Sequence, residues 1–343
     1  MTKQTSTVSK LYYIFFVLLL GITASGIAFF RLDSPVSKEG EPVLFSVPRG
    51  ASVRIITQTL QDRTLIRSSF YAYYYTRILN LSLKAGTYRI SSSMRTSAIL
   101  RYIAEGKQEY TRVTVPEGLS LMKTAKHLED AGIVSSAAFL EAARNTTVLA
   151  DYGLPGNNAE GFLFPDTYFF PIGSEAESVV HTMISTFFTR ISSLKNVPLE
   201  KSKLYDKVIL ASIVEREYRV ESEAPIIASV FVNRLGIGMG LQSCATIEYI
   251  LTEIQNKPHP LRLTLDELKI PSEYNTYLWA GLPPGPISSP GLVALEAAFT
   301  PSDTHFLYFR LTDTEAGTHS FTRSLDEHVQ AGRTLVLKKA AGN

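Results

Sequence analysis

The sequence predicts an α+β protein behind an N-terminal transmembrane helix: a small βααβ module, then a larger mixed α+β domain. Three observations carry this. A strand-and-helix unit occurs twice in the first half. Two helices, Tyr205 to Tyr218 and Ala224 to Leu235, follow each other without a strand between them. The stretch Pro271 to Gly291 is too dense in turn formers to hold a regular element. Strands and helices mix without the regular rhythm of a parallel βαβ sheet.

In chain order, residues 1–10 form a cytoplasmic N-terminus. Leu11 to Phe30 is 20 residues without a charge, about the length that crosses a bilayer as a helix. A cleaved signal peptide would carry a shorter apolar core of roughly 7–15 residues, so an uncleaved anchor is the expectation. Lys3 and Lys10 precede the run and Arg31 and Lys38 follow it, a bias too weak to set orientation by counting. Residues 31–42 read as a linker.

Val47 onward reads VPRGASVRIITQTLQDRTLI, and Val115 onward reads VPEGLSLMKTAKHLEDAGIV. Each copy predicts a strand, a Pro-x-Gly turn and a helix of about ten residues. A second echo follows: Gly86-Thr87-Tyr88 before the helix Ser97 to Glu105, and Asp166-Thr167-Tyr168 before a helix from about Glu175 to Leu194. Between the echoes the second copy is longer by about twelve residues, including Glu160 to Pro165 (EGFLFP). The pattern resembles a LysM-type glycan-binding module, placed at 43–113. A larger domain follows over 114–338, with a tail at 339–343. Ala245 to Leu251, Leu265 to Leu268, Ala294 to Ala298 and Leu325 to Lys338 read as helices, and Phe306 to Leu311 as a strand.

Composition narrows the function. A hydrophobic fraction of 45% allows a sizeable core, and a net charge of +2 argues against a nucleic-acid partner. One cysteine, Cys244, excludes an intramolecular disulfide framework and a thiolate-rich metal site. The six histidines lack HExxH spacing, and there is no GxSxG elbow. Ser120 to Lys123 matches SxxK but lacks the SDN and KTG elements that accompany it in penicillin-binding enzymes.

The candidate chemistry lies in Ile209 to Glu217 (ILASIVERE), where two carboxylates follow an apolar run. A carboxyl group on an apolar helix has its pKa raised by desolvation and can donate a proton near neutral pH. On a helical wheel Glu217 falls with Ile209, Leu210, Ile213 and Val214, whereas Glu215 lies above the small Ala211 and Ser212. Burial favours Glu217 and room for a ligand favours Glu215; the pattern alone leaves both open. The long loop Pro271 to Gly291 carries Tyr274, Tyr277 and Trp279 with Asn275 and Thr276, a composition suited either to a carbohydrate cleft or to a self-packed loop.

Taken in order, the VPxG copies, EGFLFPDTY, LASIVERE, VFVNRL, LQSCATIEY, EYNTYLWAGLPPGPISSPG and a late THSF…EH resemble the endolytic murein transglycosylase (YceG-like) family over about residues 43–335. The resemblance implies a lyase that cleaves peptidoglycan glycan strands outside the cytoplasmic membrane, to which it is anchored. It implies Glu215 as the catalytic acid, Glu217 as a supporting residue, and a glycan cleft lined by Gln242, Ser243, Thr246, Tyr274, Asn275 and Thr276. No cofactor and no metal are implied; peptidoglycan synthases are admissible partners. Many members carry Asp-Pro where this chain has Cys244-Ala245, so an auxiliary carboxylate is absent at 244. Two rival readings are a hydrolytic muramidase on the same scaffold and a non-catalytic peptidoglycan-binding scaffold.

Overall fold

The structure is a computed structural model that describes residues 15–17, 19–20, 23, 26–27 and 29–332. The apolar run 11–30 therefore lies partly outside the described residues, as do residues 1–10, the end of the last helix and the tail. Among the described residues no helix is long and apolar enough to cross a membrane. The chain divides into two compact units, residues 1–111 with 171–173, and residues 112–170 with 174–343.

The first unit runs β1 (Val43–Val47), α1 (Val53–Asp62), α2 (Ser69–Ile78), β2 (Gly86–Ile90) and α3 (Thr96–Glu105). β1 and β2 pair antiparallel, with Phe45 opposite Tyr88. Phe45, Leu60, Tyr88, Ile90, Ile99, Leu100 and Ile103 form its core. The stretch before β1 is tied down by Asp33, whose carboxylate accepts from the Ser97 amide at 2.8 Å and the Ser97 hydroxyl at 3.0 Å, at the start of α3.

The second unit contains α4 (Leu121–Asp130), α5 (Ser136–Ala142), α6 (Thr146–Tyr152), α7 (Ala176–Ile191), α8 (Lys201–Glu217), α9 (Ala224–Gly236), α10 (Cys244–Tyr249) and α11 (Leu292–Phe299). β3 (Tyr110–Thr114) pairs with β4 (Thr167–Pro171), and β5 (Tyr308–Asp313) forms an antiparallel hairpin with β6 (Thr318–Thr322). The element order is mixed α+β with three two-stranded sheets among the described residues. α8 is the centre of this unit: every residue from Val208 to Val214 is buried, and α9, α10 and α11 pack on it. A helix apolar on all sides is stable only when surrounded.

The internal repeat is a structural duplication. Ser52 caps α1 by accepting from the Ile55 amide, and Ser120 caps α4 by accepting from the Lys123 amide, both at 3.3 Å. Gly50 and Gly118 sit at φ of 74° and 75°. The amides of Leu65 and Ile133 close their helices on the Leu60 and Leu128 carbonyls at the same distance of 2.9 Å. The second echo matches as well: the Tyr88 hydroxyl donates to the Lys84 carbonyl and the Tyr168 hydroxyl to the Phe164 carbonyl, each four residues back. Both rings are buried, so each hydroxyl needs its partner.

Some elements differ from expectation. α8 begins at Lys201, four residues early, with a polar first turn that a search for apolar periodicity passes over. The helix expected at Ala245 to Leu251 splits into α10 and a π-helical turn, Ile250–Ile254, and that expected at Leu265 to Leu268 is a 3₁₀ turn, Glu267–Lys269. β6 was not foreseen as a strand. It is short and alternates weakly, and its hairpin depends on a turn in which the Asp313 carboxylate accepts from the amides of Glu315 and Ala316.

Tyr88→Phe and Tyr168→Phe each remove one buried hydroxyl that bonds a local carbonyl. Each should cost about 1 kcal/mol, read as a lower midpoint in urea unfolding. A loss in only one of the two would break the equivalence of the copies.

Candidate active site

The site is assembled at the C-terminal turn of α8. Residues 287–290, the end of the long loop, are buried as a strap along this helix. The Ile287 amide donates to the Ser212 hydroxyl at 3.0 Å, and the Ser288 hydroxyl donates to the Ser212 carbonyl at 3.0 Å. The strap also exchanges two backbone bonds with the VPEG turn: Gly118 N–H to Ser289 O at 2.9 Å and Ser289 N–H to Leu119 O at 2.8 Å. Ala211 and Ser212 are therefore covered, and the room for a ligand expected above them is filled by the chain's own backbone.

Glu215 emerges where the strap ends. Its Oε2 accepts from the Gly291 amide at 3.0 Å. Burial pushes its carboxyl up to about 7; the neighbouring Glu117 pushes the same way, against the Gly291 bond and Arg216. Glu117 is the x of the second VPxG copy. Burial raises its carboxyl first and Glu221 adds to it. A Cβ on Gly291 would overlap the Glu117 carboxyl, so only glycine lets one carboxylate reach the 291 amide while the other fills the space beside it.

Glu217 sits one turn-edge away with a different partner. Its Oε1 accepts from the Ser243 hydroxyl. Burial raises it to about 7, Glu248 adds to this, and the Ser243 bond, Arg216 and Arg234 oppose it. Arg216 itself is held by Glu248 at 2.8 Å.

The expected cleft residues fall into one network. Gln242 is exposed, in a left-handed backbone conformation at φ 52°, and its amide donates to the Thr276 carbonyl at 3.0 Å. The Thr276 hydroxyl accepts from the Ser243 amide at 3.1 Å and lies 2.9 Å from the Thr246 hydroxyl. Asn275 is fully buried; its side chain donates to the carbonyls of Leu268 and Ile270 and accepts from the Tyr277 amide. Tyr274 is half-buried, its ring 5.0 Å from that of Tyr249. Ser243, Thr246, Asn275 and Thr276 thus direct their polar groups at protein atoms; Ser243, Thr246 and Thr276 tie the 240–246 segment to the loop, and Asn275 anchors Tyr277 to the stretch 268–270. Through Ser243 the network reaches Glu217. Gln242 and Trp279, the latter 60% exposed, face solvent. The Cys244 Sγ lies 3.2 Å from the Tyr277 hydroxyl, so no carboxylate stands at that position.

Three residues, Glu117, Gly291 and Glu160, were not foreseen. Glu117 and Gly291 were hidden in motifs read as a turn and a loop end, though Glu117 stands where the first copy has Arg49. Glu160, from the insertion, is 4% exposed and accepts the Leu121 amide with both oxygens, at 2.8 and 3.0 Å, at the start of α4. Burial raises its carboxyl to about 8; Glu253 adds to the rise, and the Leu121 bond, the Tyr249 hydroxyl and Arg216 oppose it. Arg234, from VFVNRL, is buried and clamps the carbonyls of Leu307 at 2.6 Å and Leu241 at 2.7 Å. No group of three or more His, Cys, Asp or Glu suited to a metal occurs among the described residues.

A partly desolvated carboxyl near neutral pKa, on a rigid helix end beside an exposed aromatic loop, is the equipment of a general acid/base site. The chain belongs to the YceG-like family, which matches residues 45–334. It is 29% identical to the endolytic murein transglycosylase of Bacillus subtilis over 327 residues, covering 90% of this chain and 89% of that protein. The enzyme of the same name from Streptococcus pneumoniae serotype 2 is 27% identical over 353 residues; 93% of this chain aligns, but only 64% of that longer protein. The crystal structure of a YceG-like protein from Listeria monocytogenes matches with a TM-score of 0.56 at 30% identity, over 85% of this chain and 99% of that one.

Two outcomes follow from this geometry. Gly291→Ala should leave the protein folded by circular dichroism but displace Glu117 and sharply lower glycan-cleaving activity. Glu160 holds in the folded state a proton that the unfolded chain releases near the ordinary value of 4.5, so its contribution is complete below that pH and is lost as pH rises towards about 8. Glu160→Gln should therefore flatten the fall in stability between these limits in urea titrations at a series of pH values.

Proposed function

We propose that this protein is a membrane-anchored endolytic transglycosylase that cleaves the MurNAc–GlcNAc bond of nascent peptidoglycan and leaves 1,6-anhydro-MurNAc ends. The observation that carries the reading is Glu215: a carboxyl whose pKa is pushed up to about 7 by burial and by Glu117, at the end of a helix buried from Val208 to Val214. The two relatives named as endolytic murein transglycosylases support the substrate class.

Glu215 protonates the glycosidic oxygen as the C1–O bond breaks. The resulting carboxylate takes the proton of the MurNAc 6-hydroxyl as that oxygen closes on C1. Atoms balance without water, and the acid ends the cycle protonated. Ordinary glycosidases divide these tasks between two carboxylates. Here the substrate's own hydroxyl is the nucleophile, and holding it in place replaces a protein group by proximity. Glu217 supports the site by fixing Ser243 and the 240–246 segment. Gln242, Ser243, Thr246, Tyr274, Asn275 and Thr276 shape the cleft, with Gln242 and Trp279 exposed towards a glycan.

On this reading the apolar run 11–30 anchors the chain in the cytoplasmic membrane with both units outside. The first unit serves as a LysM-like glycan-binding module, and cleavage ends strand elongation next to peptidoglycan synthases.

Glu215→Gln should lower the rate by about 10²–10⁴-fold in digests of isolated peptidoglycan, with anhydro ends in the wild-type products by mass spectrometry. Water-added reducing ends would make the enzyme a muramidase; unchanged activity in the variant would remove Glu215 from the chemistry. Because the free enzyme must carry the proton, kcat/KM should fall as pH rises through about 7.

A further inference from the structure

The first unit carries an apolar face that its own fold does not use. Phe70, Tyr74 and Ile78 recur every four residues along α2, which places them in one stripe. They are 71%, 49% and 79% exposed, and Leu79 beside them is 45% exposed. The opposite side of α2 is spent on the core through Ala72 and Thr76. The stripe opens onto a cavity of about 350 Å³ whose lining includes Phe29 and Leu32. Phe29 stands at the end of the uncharged run 11–30, and Leu32 follows it by three residues. Phe29 meets Tyr71 edge-on at 5.2 Å between ring centres, and Asp33 is bound to α3. The exposed stripe is therefore continuous with Phe29 at the end of the apolar run, and packed against it.

Charge selects the occupant. Residues 31–111 hold twelve Lys and Arg against six Asp and Glu, whereas the whole chain is nearly balanced. Arg31 and Arg77 are exposed beside the stripe, and the Arg95 guanidinium lies over the Phe30 ring at 5.3 Å. A second copy of so basic a unit would be repelled, and a nearly all-carbon surface offers sugar hydroxyls few partners. Aromatic and aliphatic side chains flanked by Arg, next to an emerging anchor, match the headgroup region of an anionic bilayer.

We propose that the Phe70–Tyr74–Ile78 face of α2 is seated in the membrane interface, against the headgroups and upper acyl chains of anionic lipid. The proposal rests on the anchored reading of residues 11–30. It makes the first unit part of the membrane attachment as well as a spacer. The interfacial seat fixes this unit's orientation on the bilayer, where a single flexible tether would not.

The test uses the full chain with Cys244→Ser and single cysteines at Phe70, Tyr74, Ile78 or, as control, Ile55 on α1, which is 59% exposed. Each carries an environment-sensitive fluorophore and is reconstituted into phosphatidylglycerol–phosphatidylcholine vesicles, with and without doxyl-labelled lipid. The expected result is blue-shifted emission at 70, 74 and 78, strongly quenched by doxyl lipid, with a water-like and unquenched signal at 55. Water-like signals at all four positions in protein that floats with the vesicles would overturn the seating while leaving the anchor intact. Blue-shifted but unquenched signals would also overturn it, since protein would then cover the face. Protein that fails to float would overturn the anchor, and the seating with it.

Discussion

Everything in the second unit depends on the burial of α8 on all sides. Seven consecutive residues of this helix, Val208 to Val214, are shielded from water, so other parts of the chain must wrap it completely. α9, α10 and α11 cover part of its circumference. The strap 287–290 covers another part, and because it is irregular backbone its polar groups must be matched individually. Ser212 does this in the middle of the helix, accepting from Ile287 and receiving Ser288 on its carbonyl. The VPEG turn does it further along, through Gly118 and Leu119. The last link in the series is the Gly291 amide, and its acceptor is Glu215. Glu215 is thus held by the same ladder of bonds that closes the core.

The duplication explains how such a turn came to hand. In the first copy the Pro-x-Gly turn leads into α1, with Arg49 at the variable position and open space beside Gly50. In the second copy the same turn, with Glu117 at that position, lies against Glu215, and a Cβ on Gly118 would stand 3.6 Å from the Glu215 Cγ. The backbone is common to both; the neighbours differ. The insertion in the second copy adds Glu160, which secures the start of α4, and Gly161, where a Cβ would come within 2.6 Å of Pro286, just before the strap. One copy remains a small α+β unit, and the other has become part of a site.

Electrostatics gives the second unit its pH character. Glu117, Glu160, Glu215 and Glu217 are all raised, in each case first by burial. Arg216 tempers three of them, and its own position is set by Glu248. The first effect of low pH is therefore to relieve charge in the core, whereas alkaline pH ionises groups that the fold keeps neutral.

Much of this was legible in the residues. The α+β class, the duplicated strand-turn-helix and α9 follow from local periodicity and turn chemistry, which act over a few residues and are written in them. The carboxylates after ILASIV were visible as a pair, because desolvation by an apolar run is itself a sequence property. Periodicity alone did not choose between them. A helical wheel assumes one buried face and one open face, and α8 has no open face from Val208 to Val214. Glu217 turned to Ser243, and Glu215 to an amide 76 residues away. The parts played by Glu117, Glu160 and Gly291 also stayed hidden, for their partners are distant in sequence and only packing brings them together. The sequence by itself determined which segments fold and which carboxylates would be hard to ionise. Only the tertiary structure decided which of them faces the strap's last amide, because that depends on how three separate loops close around one helix.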